Sequence, residues 1–270
     1  QTSHNSGVIH SGVYYKKDSL KSKLCIDGAK QTYDFAKKNN VQFNKCGKLI
    51  AARNEDEISK LHHLFKINNN RHLNLKLLTK NELKNFEPNL SAKEAIFSPM
   101  TGIIDWIKFS ESLLKIYRMM GGEVKYSFEV NNIDENDSVV TVKDKSNNKI
   151  SGYKLISCSG LQSDRLCGFL GINAGVKIIP FRGDYYLLKK KYHSMFKHLI
   201  YPVPDSNVPF LGVHFTRMIS GELNVGPNAC LNLGRESYKK WGVNFRDLLE
   251  TLSFGGFWKL VNNNKKCRKI

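Results

Sequence analysis

Apolar and small residues recur at helical spacing through Leu20, Leu24, Cys25, Gly28, Ala29, Phe35 and Ala36, between a cap at Asp18 or Ser19 and the Asn39-Asn40 pair. This spacing predicts an amphipathic helix. Residues 47–52 (GKLIAA) read as a buried strand, followed by a helix over 56–66 with Ile58, Leu61 and Leu64 on one face. Thr79 with Glu82 forms a capping-box pattern whose helix has to stop before Pro88. Residues 103–106 (IIDW) lead from an extended piece into a helix through Leu113, Leu114, Ile116 and Tyr117, closed by Gly121-Gly122. The period then falls to two, predicting a β-meander of strands at 123–130, 138–142 and 153–157, separated at 131–137 and 144–148. The last apolar run, 153–158, ends at Gly160 and a helix follows over 164–171. Strand, glycine turn and helix together suit the close approach of an anionic group. Further strands are predicted at 176–179, 185–188, 199–203, 210–215 and 223–225, then a helix over 245–254, while 262–270 shows no packing pattern.

With 270 residues the chain has room for one or two domains, and 41% hydrophobic against 24% charged residues excludes wholesale disorder. No apolar run approaches the ~18 residues of a membrane-spanning helix. A net charge of +18 admits nucleic acid, an anionic membrane surface or an acidic substrate as partner. The lysines, however, are spread as pairs (Lys16-Lys17, Lys37-Lys38) and beside Asn runs, which reads as solvated faces and no nucleic-acid stripe. The six cysteines have no CxxC or Cys/His ligand spacing and are expected to be reduced, mostly buried thiols of an intracellular compartment, with no metal site. The chain opens on Gln1-Thr2-Ser3-His4 without an initiator Met, signal or transit sequence, so it is expected to start inside a longer protein.

Four stretches carry possible chemistry. Residues 4–15 (HNSGVIHSGVYY) form a donor-rich glycine loop, read either as a cradle for an anionic or carbonyl-rich ligand or as a plain connection. In residues 179–186 (IPFRGDYY), Arg182 offers a planar fork for a carboxylate, or else pairs with Asp184 at the surface. In residues 212–216 (GVHFT), His214 and Thr216 share one strand face and Val213 and Phe215 the other, so His214 faces a pocket or is a satisfied core histidine. Residues 225–229 (VGPNA) are first a turn.

Taken in order with CGKLI at 46–50, TGIID at 101–105, SGLQSD at 159–164, PFRGDY at 180–185, IYPVPDS at 200–206, PFLGVHFT at 209–216 and GPNA at 226–229, these motifs resemble the FAD-dependent L-2-hydroxyglutarate dehydrogenases of the D-amino-acid-oxidase-like superfamily. The resemblance spans most of the chain. It implies an α/β fold with an α+β substrate part: an incomplete Rossmann-like FAD domain (1–48 and 100–175) interleaved with a mixed or antiparallel-sheet substrate domain (49–99 and 176–258), then a tail at 259–270. It further implies oxidation of L-2-hydroxyglutarate to 2-oxoglutarate with hydride passing to flavin N5, electrons leaving to a quinone-type membrane acceptor, and mitochondrial location in eukaryotes.

On this resemblance His4, Asn5, Ser6, Gly7 and Gly12 lie beside the flavin, Val130 meets the adenine through its backbone, Ser159 and Gly160 approach the dinucleotide, and Gly226 contacts the cofactor. Residue type suggests the remaining roles. Arg182, with Arg217 second, anchors a dicarboxylate; His214, with His10 as the alternative, takes the hydroxyl proton; Tyr185 and Thr216 hydrogen-bond the substrate. The expectation is that Arg182 and His214 converge on one flavin-facing hollow. The GxGxxG turn that seats a dinucleotide pyrophosphate occurs nowhere in the chain, so the polypeptide alone is expected to hold FAD poorly. Two alternatives stay open: another flavin oxidoreductase of the superfamily acting on a 2-hydroxy acid, amino acid or glycerol phosphate, and a basic anion-binding fragment without activity, with peripheral docking on a membrane compatible with either.

Overall fold

The computed structural model describes residues 2–68, 71–205, 212–239 and 241–263, with Asn263 by its backbone alone. In chain order the elements are β1 (Val8–Ile9), α1 (Leu20–Lys38), β2 (Phe43–Asn44), β3 (Lys48–Ala52), α2 (Glu55–Asn68), β4 (Lys76–Thr79), α3 (Lys80–Phe86), β5 (Glu94–Ser98), β6 (Gly102–Ile104) and α4 (Trp106–Met119). They continue with β7 (Val130–Glu135), β8 (Val140–Asp144), β9 (Lys149–Gly152), α5 (Ser163–Phe169), β10 (Phe181–Leu187), β11 (Leu199–Pro202), β12 (His214–Arg217), β13 (Leu223–Leu231), α6 (Phe245–Leu252) and α7 (Gly255–Asn263).

The chain packs as two compact units: residues up to Met120 with Gly183–Ala229, and Gly121–Arg182 with the residues from Cys230 onward. These boundaries differ from those drawn on the sequence. Residues 1–48 and 49–99 fall in one unit because β3 starts at Lys48 and pairs with β5 on one side and β11 on the other.

The first unit is organised by a mixed sheet whose described strands run β10-β13-β12-β11-β3-β5-β4, with β3 and β11 parallel and the other registered pairs antiparallel. Side chains alternate across it. Leu49, Ala51, Ala95, Ile200 and Leu223 share one buried cluster with Phe215 packed against it, while Ile50, Ala52 and Ile96 pack on the opposite side with Val13, Leu61 and Leu73. Each fully buried Leu or Ile contributes about 1.5–3 kcal/mol, so this two-sided burial fixes the strand register. A small sheet β1-β6-β2 lies in the same unit, with Val8 opposite Ile103. Helix α1 starts at Ser19, whose hydroxyl accepts from the Ser22 N–H, and α3 carries the Thr79–Glu82 capping box.

The second unit holds the meander β7-β8-β9 with α5, α6 and α7. Its strands correct the sequence reading. The first begins at Val130 and runs through Asn131-Asn132, with an irregularity of register there, because Ile133 is the residue that is buried. The turn at 144–148 forms as expected, Asp144 accepting from the Ser146 and Asn148 N–H groups. The third strand is Lys149–Gly152, and 153–157 carries no described strand: Tyr153 is 89% and Ile156 86% exposed. Residues 176–179 also lack a strand; Ile178 instead donates to Asp164. The expected tail is helical as far as Asn263. Of the expected strand 210–215, residues 210 and 211 lie outside the described ones, and the strand seen is His214–Arg217. The five described cysteines are free but not fully buried, with Cys158 exposed, which corrects the expectation of buried thiols.

Candidate functional site

In the first unit, three sequence-distant segments meet on the side of the sheet that carries Ile50. Strand β1 delivers His10; Ser11 is fixed by a buried hydroxyl trio with Ser98 (2.9 Å) and Thr101 (3.2 Å). Gly12, at φ +80°, turns the chain, and its Cβ-equivalent position lies 3.5 Å from the Cys25 side chain. Buried Arg71 clamps the following loop by donating to the carbonyls of Tyr15 (3.0 Å) and Gly12 (3.3 Å) and to the Ser22 hydroxyl. Asn68 adds a bond to Val13 O at 3.0 Å. Strand β3 contributes Lys48, and β11 and β12 contribute Tyr201, His214 and Thr216.

Lys48, Tyr201, His214 and Thr216 are buried together, with His10 and Tyr185 exposed at the margin of the cluster. The His214 ring stacks on Tyr201 with centroids 3.9 Å apart, and Tyr185 meets it edge-on at 6.2 Å. The Lys48 ammonium sits 4.2 Å from the Tyr14 ring centroid and 5.0 Å from that of Tyr201. His214 Nδ1 is 2.8 Å from the Gly212 carbonyl oxygen, which can only accept. The Nδ1 proton is thereby fixed, and Nε2 keeps its lone pair. Among the described residues the buried Tyr14 hydroxyl and Thr216 Oγ1 have no hydrogen-bond partner of good geometry, the Tyr201 phenol being the polar group nearest in effect to Thr216.

The electrostatics of the cluster are set by burial and by the Lys48 charge. Burial lowers the His214 pKa, the Gly212 contact opposes this, and the Lys48 charge lowers it further. His10, exposed on its outer edge, is held down to about 4 by desolvation, Lys48 and His214. Lys48 is 1% exposed, and burial pulls its ammonium down to about 7. Burial raises the Cys25 thiol, partly offset by Lys48 and Arg71. At neutral pH the histidines are therefore bases, and burial favours the uncharged form of Lys48.

The residues singled out from the sequence fall into several places. His10, Tyr185, His214 and Thr216 belong to the first unit, and Thr216 and His214 share a face as expected, opposite Phe215. Arg182 belongs to the second unit, where its guanidinium donates to Lys239 O (3.0 Å) and Asn232 Oδ1 (3.4 Å). Arg217 donates to Lys197 O at 2.8 Å. In the loop ahead of β1, His4 and Asn5 are exposed and Ser6 half-buried; Asn5 Oδ1 accepts from the Gly7 N–H at 2.7 Å, and Gly7, at φ +70°, accepts from Ile104. A Cβ on Gly226 would lie 2.8 Å from Asp184 O, so this glycine has a packing duty against β10. Lys48, Tyr14, Cys25 and Tyr201 were not singled out; the available signal was a lysine inside a run otherwise read as a buried strand.

In the second unit an open cavity of about 750 Å³ has Val130 and Ser159 on its wall, with Glu129, Lys145 and Arg165. Gly160, at φ +53°, begins a short 3₁₀ turn directly after Ser159, and α5 follows. No described strand precedes it, so the strand–glycine–helix expectation holds only in its second half.

The architecture is mixed α/β with mixed and antiparallel sheets, and comparison with known proteins names its class. Residues 1–253 match the family of FAD dependent oxidoreductases, and the chain belongs to that family. Among curated relatives it is 39% identical over 264 residues to the L-2-hydroxyglutarate dehydrogenase of Escherichia coli strain K12, covering 98% of this chain and 63% of that protein. It is also 39% identical over 269 residues to the mitochondrial L-2-hydroxyglutarate dehydrogenase of Caenorhabditis elegans, covering 98% and 62%. The chain thus spans less than two thirds of the length of these relatives. Among solved structures, the L-alpha-glycerophosphate oxidase of Mycoplasma pneumoniae, determined with FAD bound, superposes with TM-score 0.77 at 23% identity over 97% of this chain and 71% of that one. The glycine oxidase of Geobacillus kaustophilus gives 0.71 at 14% identity over 93% and 67%. These two likenesses concern the fold.

The residues present fit the family's cofactor. The second unit's cavity is large enough for a nucleoside and is lined by Val130 and Ser159, two of the three positions at which the resemblance placed the dinucleotide. In the first unit, the buried Tyr14 and Thr216 hydroxyls have no hydrogen-bond partner among the described residues, which leaves two polar atoms for a ligand.

Proposed function

We propose that the protein to which this chain belongs oxidises the C2 alcohol of L-2-hydroxyglutarate to 2-oxoglutarate. When bound, FAD would supply the hydride acceptor at N5, the electrons leaving to a quinone-type acceptor. In the second unit Val130, Ser159 and Gly160 would hold its dinucleotide part, and in the first unit His4, Asn5, Ser6, Gly7 and Gly12 would meet its flavin. His214 Nε2 takes the hydroxyl proton, its tautomer set by Gly212 O. His10 is the second base of the hollow, Tyr185 and Thr216 orient the substrate, and the Tyr201 and Tyr14 rings exclude water. The observation that carries this reading is a neutral imidazole with a fixed free nitrogen beside a buried ammonium, in a chain 39% identical to named L-2-hydroxyglutarate dehydrogenases. The net charge of +18 supports peripheral docking on an anionic membrane, and the names of the animal relatives support a mitochondrial setting.

The test is steady-state turnover of the FAD-loaded full-length protein on L-2-hydroxyglutarate, its D enantiomer, glycerol 3-phosphate and amino acids with a quinone analogue. L-2-hydroxyglutarate is expected to have the highest kcat/KM, and preference for glycerol phosphate or an amino acid would overturn the reading. His214→Asn should cost about 10²–10⁴ in kcat. Because the His214 pKa is lowered, the acid limb of kcat/KM should lie below pH 6.5, the rate falling as protonation removes the base.

A further inference from the structure

We propose that the Lys48 ammonium anchors one carboxylate of the substrate, an inference that rests on the dicarboxylate reading above. Among the described residues Lys48 lacks a counter-ion. It is the first residue of β3, beside β5 and β11, and among the described residues no carboxylate, carbonyl or hydroxyl takes a hydrogen bond from its Nζ. The groups that face it are the Tyr14 and Tyr201 rings, the Cys25 thiol, and the His10 and His214 imidazoles, none of them an anion at neutral pH. Two aromatic faces repay part of the cost of burying a cation, but they use none of its three N–H donors.

Other buried cations of this chain behave differently. Arg71 spends its guanidinium on Tyr15 O, Gly12 O, Asn68 Oδ1 and the Ser22 hydroxyl. Arg235 is held by Asp164 and Glu250. Both are structural, and their donors are consumed. Among the described residues Lys48 keeps its donors free, in a cluster that contains two bases, which suits a binding group rather than a fold-holding one.

The chemistry asks for that neighbour. In a 2-hydroxy acid the carboxylate is one bond from the carbon that loses hydride, so the anchor and the base have to lie side by side. Lys48 and His214 both rest against the Tyr201 ring, and each histidine senses the Lys48 charge. A carboxylate arriving at Nζ supplies the missing counter-charge, and the ammonium, held near pKa 7 in the free site, then keeps its proton well above that pH. Anion binding at mildly alkaline pH is thus coupled to proton uptake at this one nitrogen.

The experiment is isothermal titration of the FAD-loaded full-length protein with glutarate, which lacks the reacting hydroxyl, at pH 8 in buffers of different ionisation enthalpy. The parent should take up close to one proton per glutarate. Lys48→Arg, permanently charged, should bind within about tenfold of the parent with no uptake, and Lys48→Met should lose at least ~30-fold in affinity together with the uptake. Flavin content of both variants reports folding. Uptake that survives in Lys48→Arg assigns the proton to a histidine and overturns the anchor, as does unchanged affinity in Lys48→Met. If glutarate fails to bind the parent at all, the dicarboxylate reading falls first, an outcome distinct from loss of the anchor alone.

Discussion

A charged nitrogen removed from water without a partner shifts its own equilibrium, and at Lys48 this gives the fold a pH dependence that can be worked through. In the unfolded chain the amine holds its proton up to about pH 10.5; in the fold it does so only to about 7. Between these values the unfolded state binds more protons, so stability rises with pH across that window, and the penalty is complete at and below pH 7. One pKa unit corresponds to about 1.4 kcal/mol, so the penalty amounts to roughly 3–5 kcal/mol. Lys48→Met, which keeps the volume, is expected to stabilise the protein against urea by about 2 kcal/mol or more at pH 6–7, after loss of the two aromatic contacts, with the gain shrinking toward zero by pH 10.5. Urea melts at pH 6, 8 and 10.5 check this, and a gain that is the same at all three would contradict the shift. The sequence shows why this residue was easy to pass over. In a chain with 42 lysines and arginines, a lysine reads as a solvated face unless its neighbours say otherwise, and only contact with Tyr14 and Tyr201, from distant segments, distinguishes Lys48. The face shared by His214 and Thr216 was legible because the alternation of Val213, His214, Phe215 and Thr216 is local.

At the scale of elements, legibility followed length and caps. Helix α1 with its Ser19 cap, α3 with its capping box and β3 with its apolar run are specified by their own residues. Two-residue strands such as β1 and β2 exist only through β6 and have no signal of their own. The meander was legible as a pattern and misplaced in register, since period two in residues 123–130 predicts a strand equally well, and only the burial of Ile133 selects the later one. Gly226 shows the converse, a glycine read as a cofactor contact that the sheet itself requires. It pairs with His214 across β12 and β13, and its Cβ-equivalent position lies 2.8 Å from Asp184 O and from Tyr185 Cδ1. Gly226→Ala is therefore expected to push β13 from β10 at a cost of about 1–3 kcal/mol and to shift the edge-on contact of Tyr185 with His214. Thermal melts and the tyrosine environment by near-ultraviolet circular dichroism report the two effects, and a variant as stable as the parent would remove the packing duty.

At the scale of the whole molecule, the fold class was legible and the partition was not. Strand β3 pairs in parallel with β11, Lys48 opposite Leu199, across some 150 residues of sequence, and no local pattern announces such a neighbour. The second unit is likewise closed by ions whose partners are remote in sequence. Arg235, buried, donates to Asp164, to Leu161 O at 2.8 Å and to Glu250 at 3.2 Å, and its N–H meets Asp247 at 2.7 Å. Arg165 bridges Asp247 (2.5 Å) and Glu250 (2.8 Å). Burial works against the Asp164 and Asp247 carboxylates, but hydrogen bonds to the arginines and to backbone N–H groups outweigh it and hold both below the usual carboxylate range. Removing one partner of such a network leaves a buried charge uncompensated, at about 3–5 kcal/mol. Arg235→Met should therefore expose Asp164 and Asp247 to protonation and loosen α5 and α6, whose residues these carboxylates are, while the Lys48 sheet keeps its own two-sided core. Hydrogen exchange is the measurement: loss of protection confined to segments 160–178 and 232–252 is expected. Equal loss in β3 and β11 would mean that the network supports both units, and that the division of the chain is not a division of its stability.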